Sequence, residues 1–177
     1  MSLKEEYTEK WFDELSDEVE TSFLELEEQL KEHFIPDIEN VDRKVTQVAG
    51  RKFSYPLEEE LYRVFKYIRG DWSKPKEFEE VLAKIKDMIW DNPFLKIIST
   101  DVNWGKWEKT KLGQLISVAE AKAKYDAEED LTPKELSLLM VVTPNAVRKR
   151  IKEERLKADK RNNQWYIEAS EYEDLVE

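Results

Sequence analysis

The chain contains no cysteine, one histidine and four glycines in 177 residues. Without cysteine there is neither a disulfide framework nor a thiolate metal site. His33 as the lone histidine removes the zinc tetrads and the Cys-His pair of nucleophilic catalysis. Gly50, Gly70, Gly105 and Gly113 are too scattered to form a loop that cradles phosphate. No apolar run approaches the ~20 residues that cross a bilayer. The opening Met-Ser-Leu-Lys-Glu-Glu-Tyr is acidic where a secretory signal is basic and then apolar. These absences lead to the expectation of a cytoplasmic protein without cofactor, metal or membrane contact. Acidic runs such as Glu27-Glu28 and Glu58-Glu59-Glu60 lie in helical stretches dense with charge, and no spacing among them marks a catalytic pair. The chain reads as a non-enzyme.

What is present is apolar material and unevenly placed charge. A hydrophobic content of 40%, an aromatic content of 11% and six tryptophans suffice for a packed core, and the length suits one medium domain or two small ones. The formal net charge is −11. Residues 1–40 hold three lysines against fourteen Asp and Glu, a balance of −11, while residues 41–177 hold 26 basic and 26 acidic groups. An arm of that sign is repelled by nucleic acid, and it suits solvent, a basic protein partner or a second subunit.

Within this arm Tyr7, Trp11, Leu15, Val19, Phe23, Leu26, Leu30 and Phe34 recur at steps of four, with one step of three, until Ile35-Pro36. The spacing predicts one long helix, with Phe12 and Leu24 widening its apolar face. That face reads as core of an N-terminal domain; its extension into a homodimer contact is the alternative. Residues 37–55 are open between an extended loop and a small hairpin, Val45–Val48 with Lys52–Tyr55 about Ala49-Gly50. Pro56 opens a helix with Leu57, Leu61, Val64, Phe65 and Ile68 on one face and Gly70 as its stop. Ser73 and Pro75 start another, burying Phe78, Val81, Leu82, Ile85 and Ile89 and ending at Asp91-Asn92-Pro93. Phe94–Ile98 is a short apolar piece of ambiguous type. Trp104 and Trp107 follow in a loop and read as packing residues. A helix from about Lys109 to Tyr125 carries Leu112, Leu115, Ile116, Ala119 and Ala123, and acidic Glu128-Glu129-Asp130 marks a boundary after it.

The last quarter is the most informative. Thr132-Pro133 and Thr143-Pro144 announce two short helices back to back: threonine caps the first-turn amides, and proline fits a position whose N–H has no partner. Glu135 stands where a reciprocal capping box needs it. Leu136, Leu139 and Met140, then Val142, Val147 and Ile151, give each helix a buried side across a very short turn. This is the order of a helix-turn-helix. Asn145, Arg148, Lys149 and Lys152 fall on the polar side of the second helix. A hairpin over residues 157–167 follows, with Lys160, Arg161, Asn163 and Gln164 about its Asn162-Asn163 turn. Trp165 reads as the apolar base of that hairpin. Between Arg148 and Arg161 lie eight basic residues against Glu153, Glu154 and Asp159.

Leu131 to about Leu175 resembles the winged helix-turn-helix of phage excisionases and related MerR-like domains. The resemblance lies in Thr132-Pro133-x-Glu135-Leu136, Val142-Thr143-Pro144-x-x-Val147, Arg155-Leu156-Lys157-Ala158, and Gln164-Trp165-Tyr166-Ile167 followed by Ser170. It covers about a quarter of the chain and implies a small winged helix-turn-helix over 127–177; with the helical domain read from apolar spacing over 1–126, the expected fold is mainly α. The resemblance also implies a second helix, 144–152, in the DNA major groove and a wing against the adjacent backbone. Asn145, Arg148, Lys149, Lys152, Lys160, Arg161, Asn163 and Gln164 are its implied DNA contacts. Three departures stand out. Val141 occupies the glycine between the helices, Glu154 the glycine before Arg155-Leu156, and Glu168 a frequent proline. A β-branched residue disfavours positive φ, so the turn is either built differently or strained. The expected function is sequence-specific binding of double-stranded DNA by a transcriptional regulator. The alternative is an antitoxin-like or adaptor protein whose acidic N-terminal helix binds a basic partner.

Overall fold

The computed structural model describes residues 2–33, 46–53, 56–90 and 109–172. It is mainly helical, with two small antiparallel hairpins. Among the described residues no helix is long and apolar enough to cross a membrane.

The acidic arm is two helices, not one. Helix α1 spans Leu3–Glu6, capped by a box between Ser2 and Glu5, and stops at Tyr7, where the backbone leaves helical geometry. Helix α2 spans Glu9–His33. The Thr8 hydroxyl accepts the Trp11 amide at 3.1 Å and restarts the chain as an N-cap. The break turns Tyr7 into the core, where it is 6% exposed. Along α2 the buried line is Phe12, Leu15 and Val19, with Trp11 and Phe23 at its edges. Leu24, expected to widen that face, is 39% exposed. At 3.6 residues per turn it lies about 120° around the helix from Phe12, off the buried stripe.

The open alternative at residues 46–53 resolves as a hairpin. Strand β1, Thr46–Val48, pairs with β2, Arg51–Phe53, through Ala49 and Gly50 at φ 51° and 83°. Two successive positive φ values give the turn whose twist suits a tight hairpin. Phe53 is buried, and the Arg51 guanidinium lies 4.9 Å from the Phe12 ring centre while bonding Asp13 at 2.5 Å. Helix α3, Pro56–Ile68, buries Leu61, Val64, Phe65 and Ile68 against α2, with Phe12 and Phe65 ring centres 4.9 Å apart. Gly70 ends it at φ 70°: its amide donates to Tyr67 O at 2.9 Å and the Asp71 amide to Lys66 O at 3.0 Å.

Helix α4, Phe78–Trp90, begins three residues later than the Pro75 start read from sequence. Glu77 sits at φ 57°, a left-handed backbone that no α-helix contains. Its Phe78, Val81, Leu82 and Ile85 are buried as expected. Helix α5, Lys111–Asp126, starts at Thr110, whose hydroxyl accepts the Gly113 amide at 3.1 Å. It contributes Leu115, Ile116, Val118 and Ala119 to the core around α2 and α3, and Ala121 to a second core beyond. Each large apolar side chain so buried contributes about 1.5–3 kcal/mol. Leu112 and Ala123, assigned to its buried face from sequence, are only half-buried. Phe34, Ile35-Pro36, residues 37–45, Ser54 and Tyr55 of the expected hairpin, Asp91-Asn92-Pro93, Phe94–Ile98, Trp104, Trp107 and Leu175 lie outside the described residues, as do the side chains of Leu26, Leu30 and Ile89.

Candidate nucleic-acid interface

The second core is built from the segment after Asp130. Helix α6, Pro133–Leu139, is capped reciprocally: the Glu135 amide donates to Thr132 Oγ1 at 3.3 Å and the Thr132 amide to Glu135 Oε2 at 2.7 Å. Lys124 of α5 reaches Glu135 Oε1 at 2.5 Å. Burial pushes the Glu135 carboxyl up. The bonds from Lys124 and Thr132 outweigh that, and the carboxyl titrates below its ordinary range. Helix α7, Pro144–Lys152, starts under Thr143, whose hydroxyl accepts the Ala146 amide at 3.2 Å. Leu136 and Leu139 of α6 meet Val147 and Ile151 of α7 in the interior.

The departures from glycine now have a structural account. Val141 has φ 52°; its amide donates to Leu138 O at 3.3 Å and the Val142 amide to Ser137 O at 3.0 Å. Glu154 has φ 56°, with its own amide on Ile151 O at 3.1 Å and the Arg155 amide on Arg150 O at 2.9 Å. Both are left-handed helix ends of the kind glycine serves, made here by side chains that strain them. For a β-branched valine the strain is about 1–2 kcal/mol. The turn is therefore built in the usual way, and the chain tolerates the strain.

After α7, strand β3, Asp159–Arg161, pairs with β4, Gln164–Tyr166, around Asn162 and Asn163 at φ 47° and 66°. Leu156 and Ile167 at the stem enter the same core as Val147 and Ile151. Trp165, assigned to the hairpin's apolar base, is half-buried against that core. The helix pair and the hairpin thus stand on one apolar base.

All eight residues singled out from sequence are exposed. On α7 the Arg148 guanidinium donates to Asn145 Oδ1 at 3.1 Å, which joins two of them and orders the arginine. Lys149 is 3.7 Å from Glu153, a surface pair of small energetic weight. Lys160 lies over the Trp165 ring at 5.7 Å. Arg148, Lys152 and Lys160 have no carboxylate partner among the described residues. Arg161 differs: Asp130 holds it at 2.6 Å and Asp159 at 3.3 Å, above the Tyr166 ring. Its charge is largely met within the chain. Asn163 and Gln164 stand at the turn with exposed side chains.

Sequence reasoning counted Arg150 in the basic run and gave it no role. It is half-buried, on a different side of α7 from Arg148 and Lys152, with Nη1 3.7 Å from Met140 Sδ. Helical spacing carried that signal, since Arg150 follows buried Val147 by three residues. No protein-family model matches the chain, and no curated protein or solved structure is found to be similar to it.

Proposed function

We propose that the chain binds double-stranded DNA through a winged helix-turn-helix over residues 127–177, in the manner of a transcriptional regulator. The observation that carries this reading is the group of exposed cations Arg148, Lys152 and Lys160, without a carboxylate partner among the described residues, on a helix and a hairpin that share one core. In the proposed complex α7 enters the major groove. Arg148, ordered by Asn145, reads base edges together with it, as bidentate side chains do. Lys149, Lys152 and Lys160 meet phosphates, and Arg161 joins them by exchanging Asp130 and Asp159 for a phosphate oxygen. Asn163 and Gln164 at the wing tip reach the neighbouring backbone. Residues 1–126 form the partner domain in this reading, with the acidic α2 turned away from the duplex. The activity is binding, not catalysis.

The test is titration of the full chain against genomic fragments at several salt concentrations. Retention that weakens with salt, and is lost in Arg148→Ala combined with Lys149→Ala, supports the proposal. Absence of binding at low salt, or indifference to that double substitution, rejects it.

A second reading rests on α2, where Asp17, Glu25 and Glu28 are exposed with no ion pair among the described residues. It makes the chain an antitoxin-like or adaptor protein for a basic partner. Co-purification of a stoichiometric basic protein from the native host would favour it.

A further inference from the structure

We infer that a cavity of about 630 Å³ at the junction of the two cores is a binding site for a small organic anion with an apolar or aromatic body. The volume lies within the range of small-molecule sites. Lys4, Arg69, Lys122 and Arg150 bring four cations to its wall from separate parts of the chain, and no carboxylate lines it among the described residues. Leu3, Ile68, Leu139, Met140 and Tyr172 supply an apolar surface between them. A neutral ligand would leave the charge in excess of the neighbouring carboxylates unanswered, and an inorganic anion would leave the apolar wall bare.

Three carboxylates stand behind the cations without removing their excess: Glu9 Oε1 lies 3.9 Å from Arg69 Nη1, which also donates to Tyr7 O at 3.1 Å. Asp71 is 3.1 Å from Lys4, and its Oδ2 is 2.8 Å from Arg69 Nε. That second contact does not meet hydrogen-bond geometry, so the buried Nε–H has no acceptor among the described residues. Asp126 is 3.0 Å from Lys122 and also accepts the Tyr67 hydroxyl at 2.5 Å. Arg150 has none of them: among the described residues its side chain's one polar neighbour is the Met140 thioether, a weak acceptor. Among the described residues this half-buried guanidinium faces sulfur and lacks the charged partner that such a group needs. A carboxylate or sulfonate seated beside it would form the strong, charge-assisted bonds now missing.

Because Arg150 shares α7 with Arg148 and Lys152, an occupant would tie the basic helix to α3 and α5. Control of DNA binding by that tie rests on the reading proposed above. The site itself does not.

The probes are anilinonaphthalene sulfonate and its uncharged parent, phenylnaphthylamine, titrated by fluorescence into the full chain without DNA. The sulfonate is expected to saturate one site, and the uncharged parent to bind roughly tenfold or more weakly. Arg150→Ala should weaken the sulfonate to a similar degree, with partial recovery in Arg150→Lys. Lys4→Glu, at the exposed rim, should weaken it several-fold and keep the parent's circular dichroism. It decides the matter if Arg150→Ala does not fold. The inference is overturned by no saturable sulfonate binding, by equal affinity for the two probes, or by sulfonate binding indifferent to the substitutions in folded protein. Since no DNA is present, these results stand whatever the retention experiment gives.

Discussion

The amides of Leu131 and Ile167 each donate to the other's carbonyl, both at 2.8 Å, so the two ends of the helix–turn–helix–hairpin segment are tied by one reciprocal pair. Both side chains are fully buried in the second core. The pairing fixes where α6 starts and where the hairpin ends, and every exposed cation of α7 and the hairpin lies between the two residues. Ile167→Ala leaves the backbone pair possible but opens a cavity beneath it, at a cost of about 2–5 kcal/mol. The expected outcome is an earlier denaturant midpoint, with early loss of hydrogen-exchange protection at residues 131 and 167 together. Unchanged stability would mean that this core does not hold the segment.

A second prediction concerns strain. Val141 and Glu154 occupy left-handed positions that glycine adopts freely. Val141→Gly removes about 1–2 kcal/mol of strain and returns roughly half of it through the freer unfolded chain. A net gain of about 0.5–1 kcal/mol is expected in chemical denaturation. Glu154→Gly should gain less, because its side chain is not branched at Cβ. Ala146→Gly, inside α7, should instead lose about 0.5–1 kcal/mol. The opposite signs of these glycine substitutions are the check.

Val141 also shows where sequence reading succeeds and where it ends. Capping threonines, Pro133 and Pro144 act through local geometry, so α6 and α7 were legible almost to the residue. The Asn162-Asn163 turn was legible for the same reason, since both residues tolerate positive φ. At Val141 the sequence leaves two alternatives, a differently built turn or a strained one, and tertiary packing, which is not local, decides for strain at φ 52°. The break at Tyr7-Thr8 stayed hidden within an unbroken apolar rhythm: burial of the Tyr7 ring decided it, and burial is not local. Glu77 hid the start of α4 in the same way. For the candidate site, exposure of the eight residues was foreseeable from helical and hairpin spacing. The capture of Arg161 by Asp130, 31 residues away, was not.

Alkaline stability should report on Tyr7. Burial, then the Glu6 carboxylate, pushes its phenol from an ordinary value of 10 up to about 12. A group whose folded-state pKa is raised contributes stability that is complete below its unfolded value and is lost as pH rises through the folded one. The protein should therefore lose on the order of 2 kcal/mol between about pH 10 and 12 through this group. Tyr67 acts in the same direction, raised by burial and then by its bond to Asp126. Tyr7→Phe keeps the ring in the core and should flatten part of the alkaline decline while leaving stability near neutral pH almost unchanged. Identical alkaline profiles for the two proteins would show that the phenol is not buried as described.

On the DNA reading, Arg148 and Lys152 must fail differently when removed. Lys152 is an exposed point charge on the last turn of α7 with no carboxylate partner among the described residues. Acting on a phosphate, its loss should weaken all duplexes alike and reduce the salt-dependence slope by about 1. Arg148 is ordered by Asn145 at 3.1 Å, an arrangement suited to a fixed fork against a base edge. Arg148→Ala should remove about 1–3 kcal/mol of discrimination between the preferred and a scrambled sequence. Asn145→Ala should lower that discrimination as well, and the two losses should fall short of adding, because one residue positions the other. Paired titrations of preferred and scrambled duplexes across a salt series separate these effects. If both variants reduce both affinities equally, α7 contributes charge alone, and sequence reading by Asn145 and Arg148 is wrong.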